Sequence, residues 1–359
     1  MISEQKRIFV TGGAGFIGSA FTITAIEKGY QVVNLDKLTY SGNLDNLSSI
    51  SKSPNYQFVH GDIGDADLVL KILQEFRPNF LVNFAAETHV DRSIRHPQDF
   101  IKTNVEATER LLWATKEWWD SLRGLKKTDF RFHHISTDEV FGSLTEEDPP
   151  FTESSHLRPN SPYSASKASS DLIVRAYFHT YGLPVTISNC SNNYGPRQYP
   201  EKLIPFMILR ASEGKELPVY GNGLNVRDWL HVDDHCDAIM TILEKGVIGE
   251  TYNIGGTCEV NNITVVKMIC KILNEVNPKV RGGSYSDQIV FVTDRPGHDF
   301  RYAIDISKIT NELGWKPSIN FEDGLRDTVQ WYPNNVEWRE RLNQRSLADW
   351  ISSNYESRG

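Results

Sequence analysis

The sequence predicts an α/β protein built on a doubly wound parallel sheet, with a smaller mixed α/β C-terminal substrate lobe. Three observations carry that expectation. Short apolar segments alternate with helix-length segments through the first 190 residues, the rhythm of right-handed βαβ crossovers covered on both faces. A glycine-rich turn separates the first strand from the first helix. After Asn192 the rhythm loosens and turn-formers crowd in: Gly195-Pro196, Pro200, Pro205, Pro218, Gly221 and Gly223.

Taken in order, Arg7–Thr11 is an apolar strand, followed by a helix over Ile17–Lys28 and a strand over Gln31–Asp36. Tyr56–His60 is the third strand, Ala66–Phe76 a helix, and Phe80–Ala85 the fourth strand. Residues 99–120 are expected as one helix, Arg131–Ser136 as a strand, Tyr163–Tyr181 as a helix and Val185–Asn189 as the closing strand. The expected domains are 1–191, with returns near 228–256 and 300–306, then a lobe over 192–345 and a tail over 346–359. The segment from Pro333 is polar, rich in Trp, and reads as helical.

At 359 residues the chain can bury a core for two lobes. Its net charge of -8 argues against a nucleic-acid partner, which needs a concentrated basic stripe. Cys190, Cys236, Cys258 and Cys270 form no C-x-x-C pair and no cluster with histidine, so neither disulfides nor a metal site is expected. No run approaches the roughly 18 apolar residues of a membrane helix, and the chain enters a strand almost at once, leaving no room for a signal peptide. The expectation is a cytoplasmic protein with no membrane contact.

Gly12, Gly15 and Gly18 give G-x-x-G-x-x-G between strand and helix, a Rossmann-type signal for a dinucleotide. One glycine makes the tight turn, one admits a pyrophosphate, and one lets helix and strand pack closely. The helix N-terminus offers free N–H groups to the phosphates. A plain strand-to-helix turn can use the same glycines. Asp36, eighteen residues after Gly18, can accept from ribose hydroxyls and repels a 2′-phosphate, which favours NAD over NADP; the alternative is a turn residue. Asp62-Ile63 would suit the adenine edge, and Ala85-Ala86 would let the cofactor backbone pass, though both could be ordinary loop starts.

Tyr163 and Lys167 stand at i and i+4 on one helix face. A tyrosine with its ordinary pKa of about 10 is a poor base near neutrality; a neighbouring ammonium and a positive nicotinamide would favour its phenolate. Thr137-Asp138-Glu139 follows the strand ending at Ser136, at the carboxyl edge of the sheet where ligands bind. Two carboxyls in one dry site are pushed to different pKa values, which is what an elimination requires: one acid and one base. A solvated acidic loop is the competing reading.

These segments resemble the dTDP-glucose 4,6-dehydratases, NAD-dependent extended short-chain dehydrogenase/reductases, along essentially the whole chain. The matching residues run from Thr11 to Gly18, Asp36 to Tyr40, Ala85 to Asp91, Ser136 to Val140, Tyr163 with Lys167, Asn192 to Pro196, Pro200 to Pro205, Arg227 to Trp229 and Asp294 to His298. The resemblance implies that Tyr163, with Thr137 and Lys167, takes the sugar 4-hydroxyl proton as hydride leaves C4. Glu139 then removes the C5 proton, Asp138 protonates the leaving C6 hydroxyl, and hydride returns to C6. It implies cofactor contacts by Gly12, Gly15, Phe16, Ile17, Gly18, Asp36, Lys37, Leu38, Thr39, Asp62, Ile63, Ala85, Ala86, Thr103 and Asn193, besides Tyr163 and Lys167. It implies dTDP-glucose contacts by His89, Thr137, Asn192, Lys202, Leu203, Pro218, Tyr220, Arg227, Asn262, Arg295, His298 and Tyr355.

Arg227 and Arg295 can each grip diphosphate oxygens bidentately and Lys202 adds a point charge, or any of the three can be a surface ion pair. Trp229 and His231 read as packing residues. Two departures stand out: Phe141 replaces the usual Tyr, and Arg197-Gln198-Tyr199 is unusual after Gly-Pro and is expected beside the sugar-nucleotide lobe. A UDP-hexose 4-epimerase or decarboxylase shares Tyr/Lys but does not need the carboxyl pair; a GDP-mannose dehydratase resembles NADP users, which Asp36 opposes; a non-catalytic NAD sensor would not need all five catalytic groups. The family's dimers pair helices near 100–120 and 163–181, so a homodimer is implied, with Val105, Leu111, Leu112, Leu172, Ile173 and Ala176 as its apolar face or simply as core. Rhamnose for surface polysaccharide is the implied destination.

Overall fold

In the computed structural model, residues 5–279 and 282–342 are described. The first strand, β1 (Arg7–Thr11), sends Ile8 and Val10 to one face of the sheet and Phe9 to the other, all fully buried. Such a strand fits only a sheet covered on both sides. Around it lie β2 (Gln31–Asp36), β3 (Tyr56–His60), β4 (Phe80–Asn83), β5 (Arg131–Thr137) and β6 (Val185–Cys190). With β10 (Thr251–Ile254), they form a seven-stranded sheet in the order β10-β6-β5-β4-β1-β2-β3. Every neighbouring pair in it is parallel. The chain runs outward from β1 to β3, then crosses back to β4 beside β1. This is the topological switch where doubly wound sheets bind ligands.

One apolar core joins helix Phe16–Glu27 to Val232–Lys245; the other joins Ala66–Phe76, Thr108–Ser121 and Pro162–Tyr181 to the opposite face. Burying each large side chain there contributes roughly 1.5–3 kcal/mol. Helix Pro162–Tyr181 begins sharply because Ser161 and Ser164 form a reciprocal capping box with Pro162 in the first turn, and it ends at Gly182 with φ +70°. That cap fixes the position of Tyr163, one residue inside the helix.

The second lobe holds a three-stranded sheet, β11-β9-β7 (Glu259–Asn261, Val226–His231, Asn192–Tyr194), and a parallel pair, β8 (Leu217–Tyr220) with β12 (Ile289–Val292). Helices Leu203–Ser212, Asn262–Val276 and Phe321–Asn334 close over them around a separate core. Trp229 and His231 pack against Tyr194.

Several expectations need correction. Residues 228–231 pair with β7 and β11 instead of the main sheet, although Leu230 already packs in the first domain's core; the chain rejoins the sheet itself at β10. Strand β4 stops at Asn83, with the Phe84 N–H still on the Thr11 carbonyl. The single helix over 99–120 is three pieces: Pro97–Phe100, a π-helical stretch Ile101–Ala107, and Thr108–Ser121. Leu111 and Leu112 are fully buried within the chain and cannot form an outer face. Arg197 has φ +70° and faces Asp233 and Glu27 beside the first domain, whereas Gln198 and Tyr199 do adjoin the second lobe, Tyr199 in its core and the Gln198 carbonyl accepting from Tyr332 at 2.7 Å. Phe141 packs on Phe151 in a small apolar cluster away from the cavity.

The C-terminal aromatics have a place. Trp331, Tyr332 and Trp338 pack edge to face, and the Trp338 indole N–H donates to Asn46 Oδ1 at 2.7 Å. The segment around Trp338 thereby lies on the first domain. Among the described residues no helix is long and apolar enough to cross a membrane. All four cysteines are free, and no cluster of His, Cys, Asp and Glu among the described residues could hold a metal.

Candidate active site

A cavity of about 300 Å³ opens at the switch point and runs from the glycine turn to Lys202. At its dinucleotide end, Gly12 has φ +70°, and a Cβ there would come 2.6 Å from the Ala85 nitrogen. A Cβ on Gly18 would lie 2.3 Å from the Gly12 carbonyl oxygen. Only glycine permits both approaches. Gly15, Phe16, Ile17 and Gly18 line the cavity at the start of a helix whose N-cap makes no side-chain bond, leaving first-turn N–H groups for an anion.

Asp36 accepts the Ala14 N–H on Oδ2 and the Leu38 N–H on Oδ1, both at 2.8 Å. Burial raises its pKa while these two donors oppose the rise. Each oxygen keeps lone-pair capacity for a ribose hydroxyl. Lys37 Nζ lies 2.7 Å from Asp62 Oδ2; although burial pushes the other way, this bond and the Gly64 N–H hold Asp62 below the usual carboxylate range. Thr39, Ile63, Ala85, Ala86, Thr103 and Asn193 also line the cavity. The residues present fit a dinucleotide. Leu38 is the exception: with φ +52° its side chain packs against the Ala14, Leu47 and Ile50 cluster instead of lining the cavity.

At the reaction end, β5 delivers Thr137 and a tight 3-10 turn delivers Asp138 and Glu139. All three line the cavity with Tyr163 and Lys167. Asp138 is 1% exposed, and its Oδ2 has no hydrogen-bond partner among the described residues. Burial, then Glu139 and Asp228, push its pKa well above the usual carboxylate value. Burial raises Glu139 too, but Lys202, Arg295 and Arg227 pull it back. Both carboxyls are thus raised, Asp138 the further; they are unlike because three cations oppose the rise at Glu139 while neighbouring carboxylates add to it at Asp138.

The phenol departs from expectation. Burial and the Glu139 charge push Tyr163 well above 10, and among the leading influences the Thr137 hydroxyl and not the Lys167 ammonium opposes them. Lys167 Nζ instead donates to the Ile135 carbonyl at 2.7 Å.

The remaining sequence-predicted residues divide. Asn192 and Lys202 line the cavity, Lys202 donating to the Thr88 carbonyl at 2.8 Å. His89 Nε2 meets the Glu201 carbonyl at 3.2 Å, and burial holds the ring neutral. Arg295 Nη1 lies 3.5 Å from Asp91, which also accepts from Tyr220 at 3.3 Å; Tyr220 in turn meets His298 edge to face. Arg227 does not present an open fork: its N–H groups bind the carbonyls of Val226, Phe300 and Asp299, and its plane lies 4.3 Å over Tyr302. That leaves fewer donors than a bidentate grip on a diphosphate assumes. Of these residues only Asn192 and Lys202 line the cavity; His89, Leu203, Pro218, Tyr220, Arg227, Asn262, Arg295 and His298 do not, and Tyr355 lies outside the described residues.

Sequence reasoning assigned no role to Glu201, Arg92 or Tyr40. Glu201, 5% exposed, accepts from Tyr40 and from Arg92, both at 2.9 Å, while Arg92 lies 3.8 Å over the Tyr40 ring. This latch fixes the loop that carries Lys202 to the first domain. The available signal was Glu201 alone, a carboxylate inside the Pro-rich run from Pro200 to Pro205.

Residues 9–328 match the family model described as GDP-mannose 4,6 dehydratase. The chain is 56% identical over 329 residues to the dTDP-glucose 4,6-dehydratase of Xanthomonas campestris pv. campestris strain B100, covering 92% of this chain and 93% of that one. It is 53% identical over 361 residues to dTDP-glucose 4,6-dehydratase 1 of Escherichia coli K12, covering 98% and 99%. The crystal structure of dTDP-glucose 4,6-dehydratase from Bacillus anthracis in complex with NAD superposes with a TM-score of 0.83 at 48% identity, over 94% of this chain and all of that one. A UDP-glucose 4-epimerase from Thermotoga maritima reaches a TM-score of 0.81 at 30% identity, over 92% and 99%, so the scaffold is shared beyond the dehydratases. The chain belongs to the GDP-mannose 4,6 dehydratase family and, within it, to the dTDP-glucose 4,6-dehydratases.

Proposed function

We propose that this chain is an NAD-dependent hydro-lyase that converts dTDP-glucose to dTDP-4-keto-6-deoxyglucose and water. The observation that carries the reading is the pair of unlike carboxyls, Asp138 and Glu139, lining one cavity with Tyr163. Gly12, Gly15 to Gly18, Asp36, Asp62 and Thr103 would hold the dinucleotide. Its chemistry there is reversible hydride storage, with a positive ring that favours ionised Tyr163.

Tyr163 takes the proton of the sugar 4-hydroxyl. The 4-ketone so formed acidifies C5–H, and Glu139, whose burial is partly offset by three nearby cations, removes that proton. Asp138 gives its proton to the C6 hydroxyl, which leaves as water. Glu139 then returns its proton to C5 as hydride arrives at C6. The proton count closes when the one held by Tyr163 passes to Asp138. Thr137 is placed for that transfer: its hydroxyl lies 3.3 Å from Asp138 Oδ1 and influences Tyr163 directly. An epimerase on this scaffold has no use for the pair.

Arg295 and Lys202, with what remains of Arg227, would hold the diphosphate. A homodimer is supported by exposed apolar side chains along the helices of the expected bundle: Ile101, Trp113, Leu172 and Tyr181 are 52%, 45%, 57% and 43% exposed. Patches of that kind mark association surfaces. The activity is tested by incubating the purified protein with dTDP-, UDP- and GDP-glucose in parallel. A product one water lighter from dTDP-glucose, without accumulating NADH, is expected; no such product from any of the three refutes the reading.

A further inference from the structure

Behind Lys167 lies a buried cluster of polar side chains to which the proposed reaction assigns no role. Asp171, one helical turn further along, is 5% exposed, and the Ser136 hydroxyl donates to its Oδ2 at 2.7 Å. Its Oδ1 accepts no hydrogen bond among the described residues and faces His134 Nε2 at 3.5 Å. That imidazole nitrogen lies 3.3 Å from Lys167 Nζ and 3.2 Å from Ser170 Oγ. Deeper in, the Thr11 hydroxyl donates to Asn83 Oδ1 at 2.6 Å, which turns the Asn83 amide N–H toward His134 Nδ1 at 3.2 Å. The network therefore places the imidazole proton on Nε2, aimed at Ser170 and Asp171.

A buried ammonium with a single carbonyl partner loses its proton easily. What faces Lys167 decides whether it does. From β5 comes the neutral His134, from β6 the Cys190 thiol, which burial keeps protonated, and from its own helix Asp171. Asp171 is faced in turn by Lys167, Arg175, Ser136 and Asn189. Among these groups Asp171 is the one carboxylate.

We propose that Asp171 is a positioning residue of the reaction, the buried counter-charge that, itself held by the Ser136 hydroxyl and faced by the His134 Nε2–H, keeps Lys167 as an ammonium in the cavity it shares with Tyr163. It acts through Lys167 and does not touch substrate. The inference rests on the reading of Tyr163 and Lys167 given above.

The test follows the lysine side-chain carbon resonances of the NAD-loaded protein against pH, with the Lys167 signal assigned by its loss in Lys167→Met. In Asp171→Asn the Lys167 midpoint is expected to fall by at least about one unit, a tenfold loss of proton affinity. The alkaline limb of kcat/KM should move down with it while the acid limb stays. A midpoint and limb that do not move, with the rate lowered evenly at every pH, overturn the proposal. Should Asp171→Asn not fold, the unaltered protein decides: an Asp171 carboxyl still protonated at pH 8 overturns it, and one ionised there sustains it. Wild-type protein that makes no dehydrated sugar refutes the reaction, not the lysine titration, so the two failures are told apart.

Discussion

The Thr137 hydroxyl lies 3.3 Å from Asp138 Oδ1 and the same distance from the Glu139 N–H. One side chain thus pins the acid and sets the backbone turn that aims the base. The arrangement leads to expectations at the site and away from it.

Asp138→Asn and Glu139→Gln should each slow elimination while leaving the first oxidation largely intact. General acid–base groups contribute about 10²–10⁴-fold. Mixing either variant with dTDP-glucose should show enzyme-bound NADH rising and persisting in absorbance. Wild-type turnover in both would mean that the carboxyls are not the acid and base.

Gly12→Ala should abolish tight NAD retention. The added methyl meets the Ala85 nitrogen at 2.6 Å, at a φ of +70° that an L side chain rarely adopts. Calorimetric titration should show dinucleotide affinity lowered at least about tenfold, corresponding to roughly 1.4 kcal/mol.

Burial raises the Asp171 carboxyl to about 6. In the unfolded chain its value is about 3.9, so the folded state binds the extra proton between the two. The stabilising contribution is complete below about pH 4 and disappears as pH rises through 6, a change of up to about 3 kcal/mol. Urea unfolding across that window should give a shallower pH dependence in Asp171→Asn than in the parent protein. An unchanged slope would contradict the burial of an ionising carboxyl.

Leu172→Glu places a charge on a side chain 57% exposed in the helix of the expected bundle. If two copies associate there, sedimentation should show the parent as a dimer and the variant shifted to monomer. A parent that sediments as a monomer ends the dimer proposal.

How much was legible depended on the range of the forces involved. Strands β1 and β2 have the limits read from the sequence because burial on both faces writes itself into consecutive residues. Helix Ala66–Phe76 has them because one buried stripe recurs at helical spacing; edge strand β3, half-buried or exposed throughout, also has the limits read. Tyr163 and Lys167 were legible because helix geometry fixes i and i+4. Leu38 was not: a positive φ turned it into an apolar cluster, and nothing in a Leu announces that. The Glu201 latch joins residues 109 and 161 positions away, separations over which sequence spacing carries no geometry. Arg227 looked like an open fork because its type permits one; only the folded carbonyls around it show most of its donors engaged.

The Asn46 carboxamide stands between two distant parts of the molecule, donating to the Ala14 carbonyl at 2.9 Å and accepting from Trp338 at 2.7 Å. Those partners of the glycine turn and the C-terminal segment are separated by most of the polypeptide. One carboxamide therefore ties the coenzyme turn to a segment 292 positions beyond its own, and the turn's outer side depends on that distant contact. Trp338→Phe, which removes the indole donor, should be felt first as a looser grip on the dinucleotide.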